Sequence, residues 1–405
     1  MNDLPIVTLG LILLTASLVA MFTRQVKLPY SVGLVVAGIV LALFPGGPDL
    51  PLSRELVFTV FLPPLVFAAA LQLKWSYFRK ELPVTVLLAF PGVLIAGLAV
   101  AVGAHFLLGW SWIGAGLFGV LIAATDPVSV LAAFKELKVQ PRLSLLVESE
   151  SLLNDGAAAV GFGILATLTA GNTGNPLSLA GSLIWTIAGG IAVGLLVAGP
   201  VLMLAGRTED YLVEITLTTI AAYGSFLLAD HLAMSGVLAS LTAGLLVGNV
   251  GWNGAISPSG RGHVLALWEY AAFLVNSIVF ILIGMQEAHQ PVSFFSGASA
   301  IAILLVLVGR ALAVYPLCAL FIPTPLRVDA SHQHVLVWGG LRGALALALV
   351  LALPRDVAEH RQIIVSAFAV VAFSIFAQGL TMPWLIRRLN LTAASGEAQP
   401  ECHSG

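Results

Sequence analysis

The stretch Ala124-Thr125-Asp126-Pro127-Val128 sits near the middle of an apolar run that covers residues 110–134. A second stretch, Gly339-Gly340-Leu341-Arg342-Gly343, sits inside the apolar run 331–353. Proline removes a helix hydrogen bond and glycine loosens the backbone, so both runs read as helices broken at their centres. Each break also carries a charge, Asp126 in one and Arg342 in the other. The rest of the chain decides whether these broken helices lie in a soluble core or in a bilayer.

Composition answers that question. Of 405 residues only 9% are charged, against about 25% in an ordinary soluble domain, while 59% are hydrophobic. Mean hydropathy is +1.00. Too little polar side chain is available to cover a soluble protein of this size, so a cytosolic enzyme and a disordered chain are both excluded. A net charge of −2 offers no basic field for nucleic acid. The two cysteines, Cys318 and Cys402, form neither a metal spacing nor a disulfide framework.

The apolar runs predict an all-α polytopic membrane protein of about thirteen transmembrane helices. The expected spans are 4–23, 29–44, 55–73, 82–108, 110–134, 142–170, 177–204, 211–229, 234–250, 264–285, 294–322, 331–353 and 361–389. Loops after the odd-numbered spans up to the eleventh, together with the C-terminal end, hold thirteen basic residues; the opposite loops hold only Arg54, Arg355 and Arg361. The positive-inside rule then puts the N-terminus outside and the C-terminus in the cytoplasm of a cell membrane, plasma or inner. The first span has Asp3 before it and Arg24 and Lys27 after it, the reverse of a cleavable signal. Residues 390–405 are polar and small, and read as a disordered tail.

Parity adds topology. Spans 1–6 begin outside and spans 8–13 begin inside, so two equivalent sixes would be inverted repeats, a common transporter architecture. Spans 5 and 12 then correspond, and both are the broken ones. Paired interruptions at matched positions point to an ion site near the midplane.

Five charges are read as lying at bilayer depth rather than in loops: Asp126, Glu150, Asp155, Arg310 and Arg342. At 1.5 Å per residue, Glu150 lies about 12 Å into span 6 and Asp155 about 20 Å, while Arg342 lies about 17 Å into span 12 from the same side. Glu150 and Arg342 are therefore expected to meet as a structural ion pair. Glu150 and Asn154, like Ser151 and Asp155, are four apart, so one helix face carries two carboxylates, a hydroxyl and an amide. That is oxygen chemistry for a hard cation such as Na⁺, not for a transition metal. Asp155 is the deepest, and an acid at that depth holds either a proton or a cation. The alternative is a structural carboxylate paired with Arg310, which otherwise reads as a supporting intramembrane charge. Asp126, just before Pro127, is expected to cap the second half of span 5. Thr125 offers secondary contact to the cation through its hydroxyl or carbonyl.

These segments, together with Leu62-Pro63-Pro64-Leu65 and Asn276-Ser277-x-x-Phe280-x-x-x-Gly284, resemble in order the signatures of NhaP/NHE-type monovalent cation/proton antiporters. The resemblance implies secondary antiport of Na⁺ for H⁺, with both ions as substrates, no cofactor and no catalytic residue. It implies a homodimer in the lipid bilayer whose six-helix core moves like an elevator against a scaffold. The scaffold would comprise 1–81 and 211–290, the core 82–173 and 291–389, with 174–210 linking them. By the same resemblance Asp155 carries the ion and the proton, and Asn154 before it marks the branch that is usually electroneutral. Ser151, Thr125 and Asp126 line or brace the site, and Glu150 pairs with Arg342.

One departure stands out. After the Leu-Pro-Pro-Leu segment such proteins usually carry Phe followed by an acid, whereas here Phe67-Ala68-Ala69 stands. Ion choice is accordingly open, and a K⁺/H⁺ exchanger or a Na⁺-coupled symporter on a related inverted-repeat fold are the rival readings. No His-Glu-x-x-His or Gly-x-Ser-x-Gly motif supports a hydrolase, and no organic substrate is indicated.

Overall fold

The computed structural model describes residues 4–26, 28–44, 55–169, 176–288 and 296–392, and among them it is helical with no strand. The chain begins with α1 (Leu4–Val26) and α2 (Tyr30–Leu43). A π-helical turn, Leu56–Phe61, leads into α3 (Leu62–Gln72). Helices α4 (Trp75–Ala89) and α5 (Pro91–Leu108) run together, and α6 (Trp112–Leu121) and α7 (Val128–Leu137) flank the first break. Two long helices follow, α8 (Pro141–Thr169) and α9 (Pro176–Ala205). Then come α10 (Tyr211–Thr219), a π turn Ile220–Gly224, and α11 (Ser225–His231). Next are α12 (Gly236–Asn249), α13 (Pro258–Ala288) and α14 (Gly297–Ala319). Helices α15 (Ala330–Trp338) and α16 (Ala344–Leu351) flank the second break. The last pass is α17 (His360–Phe373), a π turn Ser374–Gln378, and α18 (Gly379–Arg388).

Each expected span therefore has a helical counterpart, though among the described residues seven continuous helices are long and apolar enough to cross a bilayer unaided. The remainder are short or broken. Two helices start well before their apolar runs. The fourth begins at Trp75 rather than 82, with polar first turns that carry Arg79, Lys80 and Glu81, the last paired with Arg142 at 2.8 Å. The tenth begins at Pro258 rather than 264. Ser257 Oγ caps it by accepting from Gly260 N at 3.0 Å, and Pro258 fits a first helical turn. Hydropathy marks the greasy part of a helix, and caps mark the helix. The expected tail is described only over residues 390–392, where Thr392 forms an isolated bridge with Val139; its remainder lies outside the described residues.

Polarity is distributed as a bilayer demands. Leu14, Leu18 and Phe22 on α1, Leu94 and Phe106 on α5, Leu196 and Met203 on α9 and Leu304 on α14 are exposed. Glu150, Asn154, Arg310, Arg342 and Ser374 are buried. An apolar outside around a polar inside is stable only where the solvent is lipid. The closest helix pairings fall into two sets. Helix α2 packs on α13 and α3 and α9 on α12; α5 packs on α14 and α6, and α4 on α8. Backbones touch in places where glycine removes the side chain. A Cβ on Gly38 would lie 2.1 Å from Ile281 O, and one on Gly119 2.2 Å from Gly97 O.

Candidate ion-binding site

The two breaks meet. The backbone N–H of Asp126 donates to the carbonyl of Leu341 at 2.8 Å, fastening the α6–α7 break to the α15–α16 break. Asp126 Oδ1 accepts from Val128 N at 2.9 Å and so satisfies an orphan donor at the start of α7. Pro127 beside it has no N–H to lose. The other carboxylate oxygen occupies space that a side chain would take on the facing strand of chain. A Cβ on Gly343 would lie 2.0 Å from Asp126 Oδ2, so glycine is required there.

The π turn in the last pass serves the second break. Ser374 Oγ accepts from Arg342 N at 3.0 Å, and Gln378 Nε2 donates to Trp338 O at 2.9 Å. Widening one turn of the helix presents both side chains, four residues apart, to backbone groups that the break leaves without helical partners.

Helix α8 forms the third wall. Ser151 Oγ donates to Thr125 O. Asn154 Nδ2 donates to Thr125 Oγ1 at 2.7 Å and to Glu150 Oε1 at 3.0 Å, while Thr125 N donates to Asn154 Oδ1 at 3.3 Å. Asn154 is completely buried against Thr125, in the layer next to the cavity-lining residues. Its amide is spent on holding the break in position.

The expected Glu150–Arg342 pair is corrected. Glu150 binds Arg310 of α14 through both oxygens, at 2.8 Å each, and both side chains are buried. Arg310 further donates to Leu336 O from Nε at 3.2 Å and Nη2 at 3.1 Å, reaching the C-terminal end of α15. Arg342 instead turns Nη1 back to Gly340 O at 2.5 Å, and its buried Nε has no partner. Counting residues along two helices gave depth but not direction around each axis. A planar guanidinium on a third helix satisfies the carboxylate better.

Asp155 differs from all of these. Its Oδ1 is buried and has no hydrogen-bond partner, and Arg310, its alternative partner, is committed to Glu150. It opens on a cavity of about 200 Å³ between the two packing sets. Thr125, Asp126 and Ser151 share that cavity from one side, and Ala68, Ala69, Gln72 and Asn276 face them from α3 and α13. The position where an acid was expected is thus an apolar patch of the wall. Oxygens from Asp155, Asp126, Ser151 and Thr125 suit a hard monovalent cation. Among the described residues, no group of three His, Cys, Asp or Glu side chains is placed to hold a metal ion.

Several residues were missed in the sequence. Glu148 lines the cavity and Glu214 lies completely buried on α10, accepting from Ser257 N at 2.8 Å. Spacing could have found Glu148, since Glu148, Ser151 and Asp155 follow an i, i+3, i+7 stripe. No local signal marks Ser374 or Gln378.

Comparison with known proteins agrees with the geometry. The family described as "Sodium/hydrogen exchanger, transmembrane" matches residues 11–388. The Na⁺/H⁺ antiporter ApNhaP of Aphanothece halophytica is 39% identical over 381 residues, covering 93% of this chain and 72% of that one. NhaH of Halobacillus dabanensis is 31% identical, covering 96% and 99%. The solved structure of the sodium proton antiporter MjNhaP1 from Methanocaldococcus jannaschii superposes with a TM-score of 0.77 at 20% identity, covering 96% of this chain and 99% of that one. The chain is an integral membrane protein and a member of the sodium/hydrogen exchanger family.

Proposed function

We propose that the protein exchanges Na⁺ for H⁺ across the cell membrane, one for one, by competition at Asp155. The observation that carries this reading is the buried, unpartnered Oδ1 of Asp155 at a largely apolar cavity whose polar lining includes Thr125, Ser151, Asp126 and Glu148. A carboxylate oxygen left without a donor away from water is costly unless a proton or a cation joins it. The two cannot occupy it together, so each expels the other.

Charge balance supports a one-for-one exchange. At the crossing itself three carboxylates, Asp126, Glu150 and Asp155, stand against two guanidinium groups, Arg310 and Arg342, with Glu148 about 10 Å away on the same cavity wall. Counting the five groups at the crossing, one negative charge remains when the site is empty, and none remains when either H⁺ or Na⁺ is bound. A net charge opposes passage through a low-dielectric barrier, so the empty site resists crossing and the loaded one does not. That asymmetry couples the two fluxes without a separate gate. In this reading the α4–α8 and α14–α18 helices form a core that slides against a scaffold of α1–α3 and α10–α13 in a homodimer, with the basic loops in the cytoplasm. The cavity lies between the two sets, where such sliding would alternate its access.

A second reading, K⁺ in place of Na⁺, is favoured by Ala68 and Ala69, which withhold oxygens from one wall. A larger cation loses less on shedding its water. The test of both is dequenching of a pH-sensitive dye in proteoliposomes on adding Na⁺, K⁺ or Li⁺, with and without an imposed membrane potential. Exchange of one ion type that ignores the potential is expected, with apparent cation affinity falling about tenfold per pH unit on the acid side, the mass-action slope for one proton. Exchange driven by the potential would overturn the one-for-one stoichiometry. Cation affinity independent of pH would overturn competition.

A further inference from the structure

Glu148 is an acid that the exchange reading leaves unused. It lies on α8 seven residues before Asp155, with Ser151 between them. At 100° per residue, seven residues return to within about 20° of the same direction, so the three side chains form one ladder with about 10 Å between its ends. All three line the same cavity. Glu148 is half-buried, and its carboxylate has no hydrogen-bond or ion-pair partner among the described residues. Two other acids of the core are paired, Glu150 with Arg310 and Glu81 with Arg142. A free acid partly withdrawn from water is retained at a cost.

Its place along the path is defined. Helix α8 enters from the end that carries the basic loops, so Glu148 stands nearer that end than Asp155. Gln72, at the end of α3, and Leu131 of α7 belong to the same wall, and both helices end at that side. Glu148 therefore stands on the cavity wall at the basic-loop end, one helical ladder away from the unpartnered oxygen of Asp155. The facing patch, Ala68 and Ala69, offers no charge.

We propose that Glu148 captures the cation at the mouth of the ion path, holding it electrostatically before Ser151 and Asp155 receive it, and thereby sets the concentration at which the site fills. It is a positioning residue that acts through the field it casts along the ladder and leaves the final site to others. This rests on the exchange reading of Asp155. Over about 10 Å, with an effective dielectric between those of bulk water and a protein surface, one such charge changes cation affinity roughly 2- to 15-fold.

The experiment is a Na⁺ titration of exchange in proteoliposomes containing the full chain, at low ionic strength and again with added impermeant salt. Glu148→Gln is expected to raise the KM for Na⁺ roughly 2- to 15-fold at low ionic strength, with a smaller effect on maximal rate. The difference should shrink as salt shortens the screening length towards about 3 Å near 1 M. Glu148→Asp, which keeps the charge, should recover most of the affinity. An unchanged KM at low ionic strength overturns the proposal. So does a KM rise that salt does not diminish, or an aspartate variant as weak as the glutamine one. If the glutamine variant does not fold, the wild-type protein decides: its KM must rise with impermeant salt, and a flat KM overturns the idea. Failure here is distinct from failure of the exchange reading, which would show as retained exchange in Asp155→Asn.

Discussion

Glu150 and Asp155 lie on one helix, five residues apart, and are treated in opposite ways. Glu150 receives two hydrogen bonds from Arg310 and one from Asn154, and is 2% exposed. Asp155 receives none, keeps a buried bare oxygen, and faces a cavity. The same chemical group is pinned by donors in one place and left bare beside a cavity in the other. A satisfied acid holds the break of the first half against α14 and the end of α15, and that rigidity lets the unsatisfied acid stay unsatisfied. Without a fixed wall, Asp155 would collapse onto the nearest donor.

The sharpest way to break this contrast is to neutralise each acid. Asp155→Asn is expected to abolish cation-driven dequenching in proteoliposomes while the protein stays monodisperse and keeps its thermal midpoint. Retained exchange would remove Asp155 from the centre of the mechanism. Arg310→Leu should instead lower stability by about 3–5 kcal/mol, the cost of leaving a buried carboxylate alone. Thermal unfolding in detergent reads this, and Arg342→Leu, with no carboxylate partner to strand, should cost clearly less. Equal losses would mean that Glu150 divides its charge between the two arginines. Exchanging Glu150 and Arg310 for one another should restore part of what either single reversal loses.

Smaller changes sharpen the cavity side. Gly343→Ala forces Asp126 to move, since the new methyl would overlap its carboxylate, and overpacking of this kind costs about 1–3 kcal/mol. Exchange should slow with the cation KM raised, and a variant with wild-type kinetics would show that Asp126 has room to yield. The mildest expected effect belongs to Ala68→Glu, which adds a carboxylate to the apolar wall and should tighten Na⁺ binding severalfold in a KM measurement. No change in KM would mean that this wall does not reach the ion.

Much of this was legible in the residues. Thr125-Asp126-Pro127 and Gly339-Gly340-Leu341-Arg342-Gly343 announced two broken helices, because missing donors and flexible backbone are local properties. Glu150, Ser151, Asn154 and Asp155 announced a polar face, because helical spacing is fixed. The partner of Glu150 was not legible. Helical rise gives depth, and at one depth several helices compete for the same carboxylate. Arg310 prevails because α14 packs where its planar fork can lie against both oxygens and still reach Leu336 O. The partners of Asn154 were hidden for a related reason. It is one residue from Asp155, yet 100° of rotation turns it away from the cavity and towards Thr125.

Sequence by itself determined that the chain lives in a bilayer, that two of its helices are broken, and that one helix face carries the acids. These follow from composition and from the fixed period of the helix, which need no knowledge of neighbours. Only the tertiary structure decided which acid is paired and which is free. A carboxylate's partner depends on where a third helix places its donors, and that is set by the packing of the whole assembly.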